Sequence, residues 1–128
     1  MEHLAILSSK LQLFDKIISG KKTVESRWFV HRKTPYQNIF TSETIYFKEG
    51  NKFAKAVVEK ALFFEVDDEK IKEILLEYSD RLGVGVEYLE FLKGKRYCTL
   101  VFIKDVQEAK PFHVPFSRAA WVTKERFV

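Results

Sequence analysis

Cysteine is nearly missing from this 128-residue sequence, with Cys98 standing alone. An internal disulfide framework and a cysteine-based zinc cluster are thereby excluded, and a reducing, cytoplasmic setting is the expectation. Proline is scarce at three residues and glycine at five, so no flexible or polyproline linker divides the chain. No apolar run approaches the roughly 18 residues of a membrane span, and Met1-Glu2-His3-Leu4-Ala5 has neither the basic start nor the apolar stretch of a signal peptide. A soluble protein of one domain, residues 1–128, is expected.

What is abundant is aromatic and charged. Twelve phenylalanines raise the aromatic share to 15%, suited to a small β-rich core filled by large rings. The net charge of +4 is unevenly spread: residues 1–60 carry +5, residues 61–94 carry −5 and residues 95–128 carry +4. Two basic flanks around an acidic middle would form a basic face if the fold joins them, and a polyanion such as RNA fits such a face. The plainer reading is a lysine-coated soluble surface.

Periodicity orders the elements. Residues 3–8 read as a short strand buried on both faces, and Ser8 or Ser9 can cap a following helix over 9–19, in which Leu11, Phe14, Ile17 and Ile18 recur at helical spacing. Gly20 stands where a left-handed C-terminal cap is wanted. From Thr23 to Val30 the pattern turns to β-formers in alternation; Thr44–Phe47 and Lys52–Val66 follow as strands, the second long enough to bend. Ile71, Ile74, Leu75 and Tyr78 mark an amphipathic helix beginning after the acidic Asp67-Asp68-Glu69 and ending near Leu82. A second short helix over 86–93, a strand over 96–106 and a last strand over 119–122 complete about six strands and three helices. The fold class is α+β, a small barrel with helical decoration.

One run carries chemistry: Gly20-Lys21-Lys22-Thr23-Val24-Glu25-Ser26-Arg27. It is a helix end leading directly into a strand, and Glu25 and Arg27, two apart, share one strand face and can pair. Pairing would steady the guanidinium while leaving donors for a phosphate or a base edge, with Lys22 as a mobile charge at the turn. As an ordinary surface ion pair the same residues would contribute little. By alternation Ser26 should face away from Glu25.

Leu7-Ser8-Ser9-Lys10, a helix, and then Gly20-x-Lys22-x-x-Glu25-x-Arg27 resemble the N-terminal signature of the ASCH domain family. The likeness is detailed over the first 27 residues and agrees beyond them only in element order and length. It implies a PUA-like β-barrel of about six strands with an N-terminal helix and a helical insertion, and it implies RNA binding in a cleft beside the barrel, with Lys10, Lys22, Glu25 and Arg27 as cleft residues. Some members of that family remove the acyl group from N4-acetylcytidine, with a Lys at the position of Lys22 and a Thr at that of Glu25. An amidohydrolase acting on a modified nucleoside is therefore the alternative, with Lys22 and Glu25 as its catalytic pair. The carboxylate at position 25 departs from that pattern, since it can act as a base for water but does not replace a hydroxyl nucleophile.

Arg32 and Lys33, in the polar loop after Trp28 and near Tyr36, mix cations with aromatics in the manner of a single-strand RNA surface and would extend the site. Trp28 itself reads first as core, and Arg96 or Arg118 could widen the basic face. His3, His31 and His113 are far apart with no ligand pattern around them, so no metal and no cofactor are expected. Cys98 reads as a buried structural thiol. RNA or a nucleoside is the expected partner, a membrane is not, and a monomer is favoured; contact with another protein through the acidic helices of 67–94 is the weakest alternative.

Overall fold

A computed structural model describes residues 1–128. Six strands, β1 (Glu2–Ile6), β2 (Val24–Phe29), β3 (Thr44–Glu49), β4 (Lys52–Glu65), β5 (Tyr97–Ala109) and β6 (Trp121–Lys124), form one sheet in the order β2-β5-β4-β3-β1-β6. β1 runs parallel to β3 and every other pairing is antiparallel. The sheet curls into a half-barrel of PUA-like type, which places its two edge strands, β2 and β6, on either side of an open seam. The long pairing of β4 with β5 slips register between Lys55 and Val57 and again between Val58 and Lys60, the extra residues bending the strand where the sheet curls.

Three helices accompany the sheet: α1 (Leu13–Ile18), α2 (Asp68–Leu82) and α3 (Leu89–Leu92), with single 3-10 turns at Ser9–Leu11 and Val86–Tyr88. The helix expected over 9–19 is broken. Ser8 caps the 3-10 turn by accepting from the Lys10 N–H, and Gln12 then takes a left-handed conformation at φ 53° before α1 begins. The break turns Phe14 and Ile17 into the core while Leu11 and Ile18 stay partly exposed, so the apolar spacing over 9–19 describes two short turns and not one helix. α2 follows the sequence closely: Asp67 caps it by accepting from the Lys70 N–H at 2.8 Å, and Gly83 at φ 78° ends it. No helix is long and apolar enough to cross a membrane.

Alternation along β5 divides the core in two. Val101 and Ile103 face the barrel interior with Ala5, Phe47, Val58 and Trp121. Cys98, Leu100 and Phe102 face outward and are covered by Ile71, Ile74, Leu75 and Leu82 of α2, together with Val24 and Trp28 of β2. Each such aliphatic side chain contributes about 1.5–3 kcal/mol through burial, which fixes α2 firmly across the outer face. Cys98 is fully buried there, and burial pushes its thiol far above the ordinary value, so it is an inert packing group. The acidic 61–94 segment takes in the end of β4 and the helices that follow it, and the last residues of α2 and α3, Leu82 and Leu92, pack in one cluster with Val24 and Trp28 of β2.

Candidate nucleotide cavity at the barrel seam

The segment after α1 docks the end of α2. The last carbonyls of a helix lack intrahelical donors. Here Thr23 N–H donates to Arg81 O at 2.9 Å, Lys22 Nζ to Leu82 O at 2.6 Å, and Lys16 Nζ to Gly83 O at 2.8 Å. Two ammonium groups at the negative end of the helix are also electrostatically favourable. Gly83 is required at this joint: a Cβ would stand 3.2 Å from Lys16 Cδ and 3.5 Å from Lys22 Cβ, and the backbone is left-handed besides.

Lys22 is therefore no mobile point charge at a turn. It is 2% exposed, and its ammonium donates to Leu82 O, to Val24 O at 2.7 Å, and pairs with Glu25 Oε1 at 3.3 Å. Two carbonyls and one carboxylate thus surround the ammonium. Glu25, also buried, accepts from the Ser26 N–H through Oε1 at 3.1 Å and from Arg27 Nη2 through Oε2 at 2.9 Å. Burial draws the Lys22 pKa below the ordinary lysine value, against the pull of Glu25. Burial would raise the Glu25 carboxyl, but Lys22 and then Arg27 outweigh it and hold it below the usual carboxylate range.

Arg27 spans the seam. Nη1 donates to Ala120 O at 3.2 Å, just before β6, and Nη2 to Ile6 O at 3.3 Å, at the end of β1. Its guanidinium lies 5.2 Å from the ring centroid of Trp121. Trp121 is fixed in turn, its indole N–H donating to the buried His3 Nδ1 at 3.2 Å, while His3 Nε2–H donates to Glu43 Oε1 at 3.0 Å. A line of contacts thus runs from Glu43 through His3, Trp121 and Arg27 to Glu25 and Lys22, joining both edges of the half-barrel.

Beside this line lies a cavity of about 360 Å³, eleven of whose seventeen lining residues are hydrophobic. Lys22, Glu25 and Arg27 line it together, with Ser8, Ser26 and Trp28. The alternation argument for Ser26 gives its face correctly but not its surroundings: β2 is an edge strand, so residues from both of its faces border the same opening. Trp28 is both core and wall, its indole N–H donating to Ser26 Oγ at 2.9 Å. The insertion supplies a wall the sequence did not announce, formed by Tyr88, Phe91, Leu92 and Lys95.

The other expected site residues stand apart. Lys10 is exposed on the 3-10 turn and does not line the cavity. Arg32 pairs with Glu65 at 3.3 Å and lies 5.5 Å from the Tyr97 ring, and it does not line the cavity either. Lys33 is also outside the lining, though its Nζ sits 5.5 Å from the ring of Phe29, which belongs to it. No group of three or more His, Cys, Asp or Glu side chains is placed to hold a metal ion.

No protein-family model matches the sequence, and no curated protein matches it. Solved structures do. An ASCH protein from Zymomonas mobilis superposes with a TM-score of 0.64 at 19% identity, over 88% of this chain and 73% of that one. A point variant of the same protein gives 0.64 and 19% over 88% and 76%. A hypothetical protein, PH0355, gives 0.51 at 18% identity over 88% of this chain and 100% of its own. At such identities the likeness is one of fold, and the chain has an ASCH-like fold of the PUA-like, α+β class.

Proposed function

We propose that the seam cavity binds RNA by taking in one unpaired nucleotide, or binds the free nucleoside or nucleotide. One observation carries this reading: a buried ionic floor of Lys22, Glu25 and Arg27 beneath largely apolar walls that include Trp28, Phe29, Tyr88 and Phe91. Such a hollow suits a flat ring with a polar edge, and its volume lies within the range of small-molecule pockets. Unstacked bases in single-stranded RNA are recognised through aromatic faces and hydrogen bonds to their edges. Lys95 in the lining and Lys33 beside Phe29 would meet phosphates of a longer strand. The ASCH-like fold supports the same reading.

The amidohydrolase reading has less support. A lysine acting as a base must give up a proton and offer a lone pair, yet the Lys22 ammonium donates to two carbonyls and is paired with Glu25. Both Glu25 oxygens are likewise engaged. Titration of single-stranded and duplex RNA at two salt concentrations tests the proposal, with Arg27→Gln and Phe91→Leu as paired variants. Tighter binding of the single strand, weakened by salt and by both variants, is expected. Equal binding by wild type and Phe91→Leu would remove the cavity from consideration. Release of cytidine from N4-acetylcytidine by the wild type would shift the choice to hydrolysis.

A further inference from the structure

The reading of the cavity as a nucleotide site leaves open which bases it takes, and the hydrogen-bond inventory of its lining narrows that choice. Lys22 donates to two main-chain carbonyls and pairs with Glu25, and the Glu25 carboxylate, 4% exposed, accepts from the Ser26 N–H and from Arg27 besides pairing with Lys22. The only negatively charged side chain in the lining is thus withdrawn from ligand binding. The charged groups that remain unclaimed are donors, while the Ser8, Ser26 and Tyr88 hydroxyls can both donate and accept. Arg27 has five N–H groups, three of them engaged by Glu25, Ile6 and Ala120, which leaves two. Ser26 Oγ accepts from Trp28 and Ser8 Oγ accepts from the Lys10 N–H, so each keeps a free O–H. The Lys95 ammonium has no carboxylate partner within 4 Å.

The second observation is the wall. α3 buries Leu92, yet leaves Phe91 74% exposed while it lines the cavity. Its ring is paired with Tyr88 at 5.4 Å and 40°, an aromatic surface at the mouth that no part of the chain covers. An exposed phenylalanine alone means little, but one set against a cavity with a hydrogen-bonding floor is a stacking surface.

We infer that the cavity selects a base whose inward edge carries a carbonyl oxygen, as in hypoxanthine, guanine and uracil, stacked on Phe91, over one that carries an amino group at that position, as in adenine and cytosine. Adenine and cytosine would turn an amino donor toward the cationic donors of Arg27 and Lys95, with only uncharged hydroxyl and main-chain oxygens left to receive it. An unmatched buried donor is costly, so discrimination follows from mismatch as much as from attraction.

Two pairs of nucleoside monophosphates test the effect, because each pair exchanges an oxo for an amino group together with the proton on the adjacent ring nitrogen: inosine against adenosine, and uridine against cytidine. Trp28, in the wall, reports binding by its fluorescence. The oxo member of each pair should bind about tenfold more tightly, the size of discrimination a good edge contact gives. Phe91→Leu should weaken all four roughly tenfold while preserving the ratio within each pair. Equal or reversed affinities within the pairs, with binding still sensitive to Phe91→Leu, would overturn the preference and leave the nucleotide site standing. Failure of all four to bind would remove the site and the preference together.

Discussion

Lys22-Glu25-Arg27 and Arg32-Lys33 lie within a dozen residues of one another, and their surroundings differ in every respect. In the first group the Lys22 and Glu25 side chains are 2% and 4% exposed, and each charge has several partners. In the second, Arg32 and Glu65 are 61% and 69% exposed at 3.3 Å. Charges removed from water are held only where the network is complete, so breaking one member leaves the others uncompensated; charges in water lose little when a partner goes. The sequence presents both groups as candidate ligand-binding charges, and burial separates an integral part of the fold from a solvated pair.

Removing the centre of the buried group should give the largest effect. Glu25→Ala strands Lys22 and Arg27, and a loss of about 3–5 kcal/mol is expected from urea unfolding. A loss below about 1 kcal/mol would show that water enters the cavity and screens the trio.

Acid removes the same charge without mutation. The folded Glu25 pKa is held below the ordinary value of 4.5, so its contribution is complete above about pH 4.5 and is lost as pH falls through the folded value. Glu43 acts in the same direction, since hydrogen bonds from His3 and the Phe40 N–H outweigh its partial burial and lower its pKa. Thermal melts between pH 3 and 6 should show wild type destabilised steeply on the acid side, and Glu25→Gln less steeply. Parallel curves for the two proteins would contradict the assignment.

Much of this contrast was legible beforehand, and its limits have a physical reason. The pairing of Glu25 with Arg27 follows from the two-residue period of a strand, and the cap at Ser8, the left-handed Gly20 and the acid at the start of α2 follow from local chemistry. Element order and the division into sheet and insertion follow from periodicity. The confinement of Lys22 depends on Leu82, sixty residues away, and on the angle at which α2 crosses β2, neither of which spacing encodes. Phe91 and Lys95 reach the cavity for the same non-local reason. Lys10 matches the family pattern in position, yet the left-handed Gln12 breaks the helix beside it and its side chain does not join the cavity. Local rules predicted which residues could meet; the curl of the sheet determined which did.

A smaller effect tests the seam. Trp121→Phe keeps an aromatic face beneath Arg27 but removes the indole N–H from His3 Nδ1, leaving a buried acceptor unpaired. A loss of about 1–2 kcal/mol is expected. Faster exchange should accompany it at the Ile6 amide, which donates to Ala120 O across the β1 and β6 ends of the seam. A stability loss without faster exchange at Ile6 would place the indole bond outside the seam.

The least effect should come from the exposed group, and it matters most for the comparison. Arg32→Ala removes a contact with Glu65 and one with the Tyr97 ring, both formed in water, so the thermal midpoint should not move measurably. Binding of a single nucleotide should also be unchanged, because Arg32 does not line the cavity. A longer strand is different: if it leaves the cavity along the loop, Arg32→Ala should weaken it and reduce its salt dependence by about one phosphate contact. Mononucleotide and oligonucleotide titrations side by side therefore separate a cavity that acts alone from one that continues onto the loop, and a loss of mononucleotide affinity in Arg32→Ala would erase the distinction between the two groups.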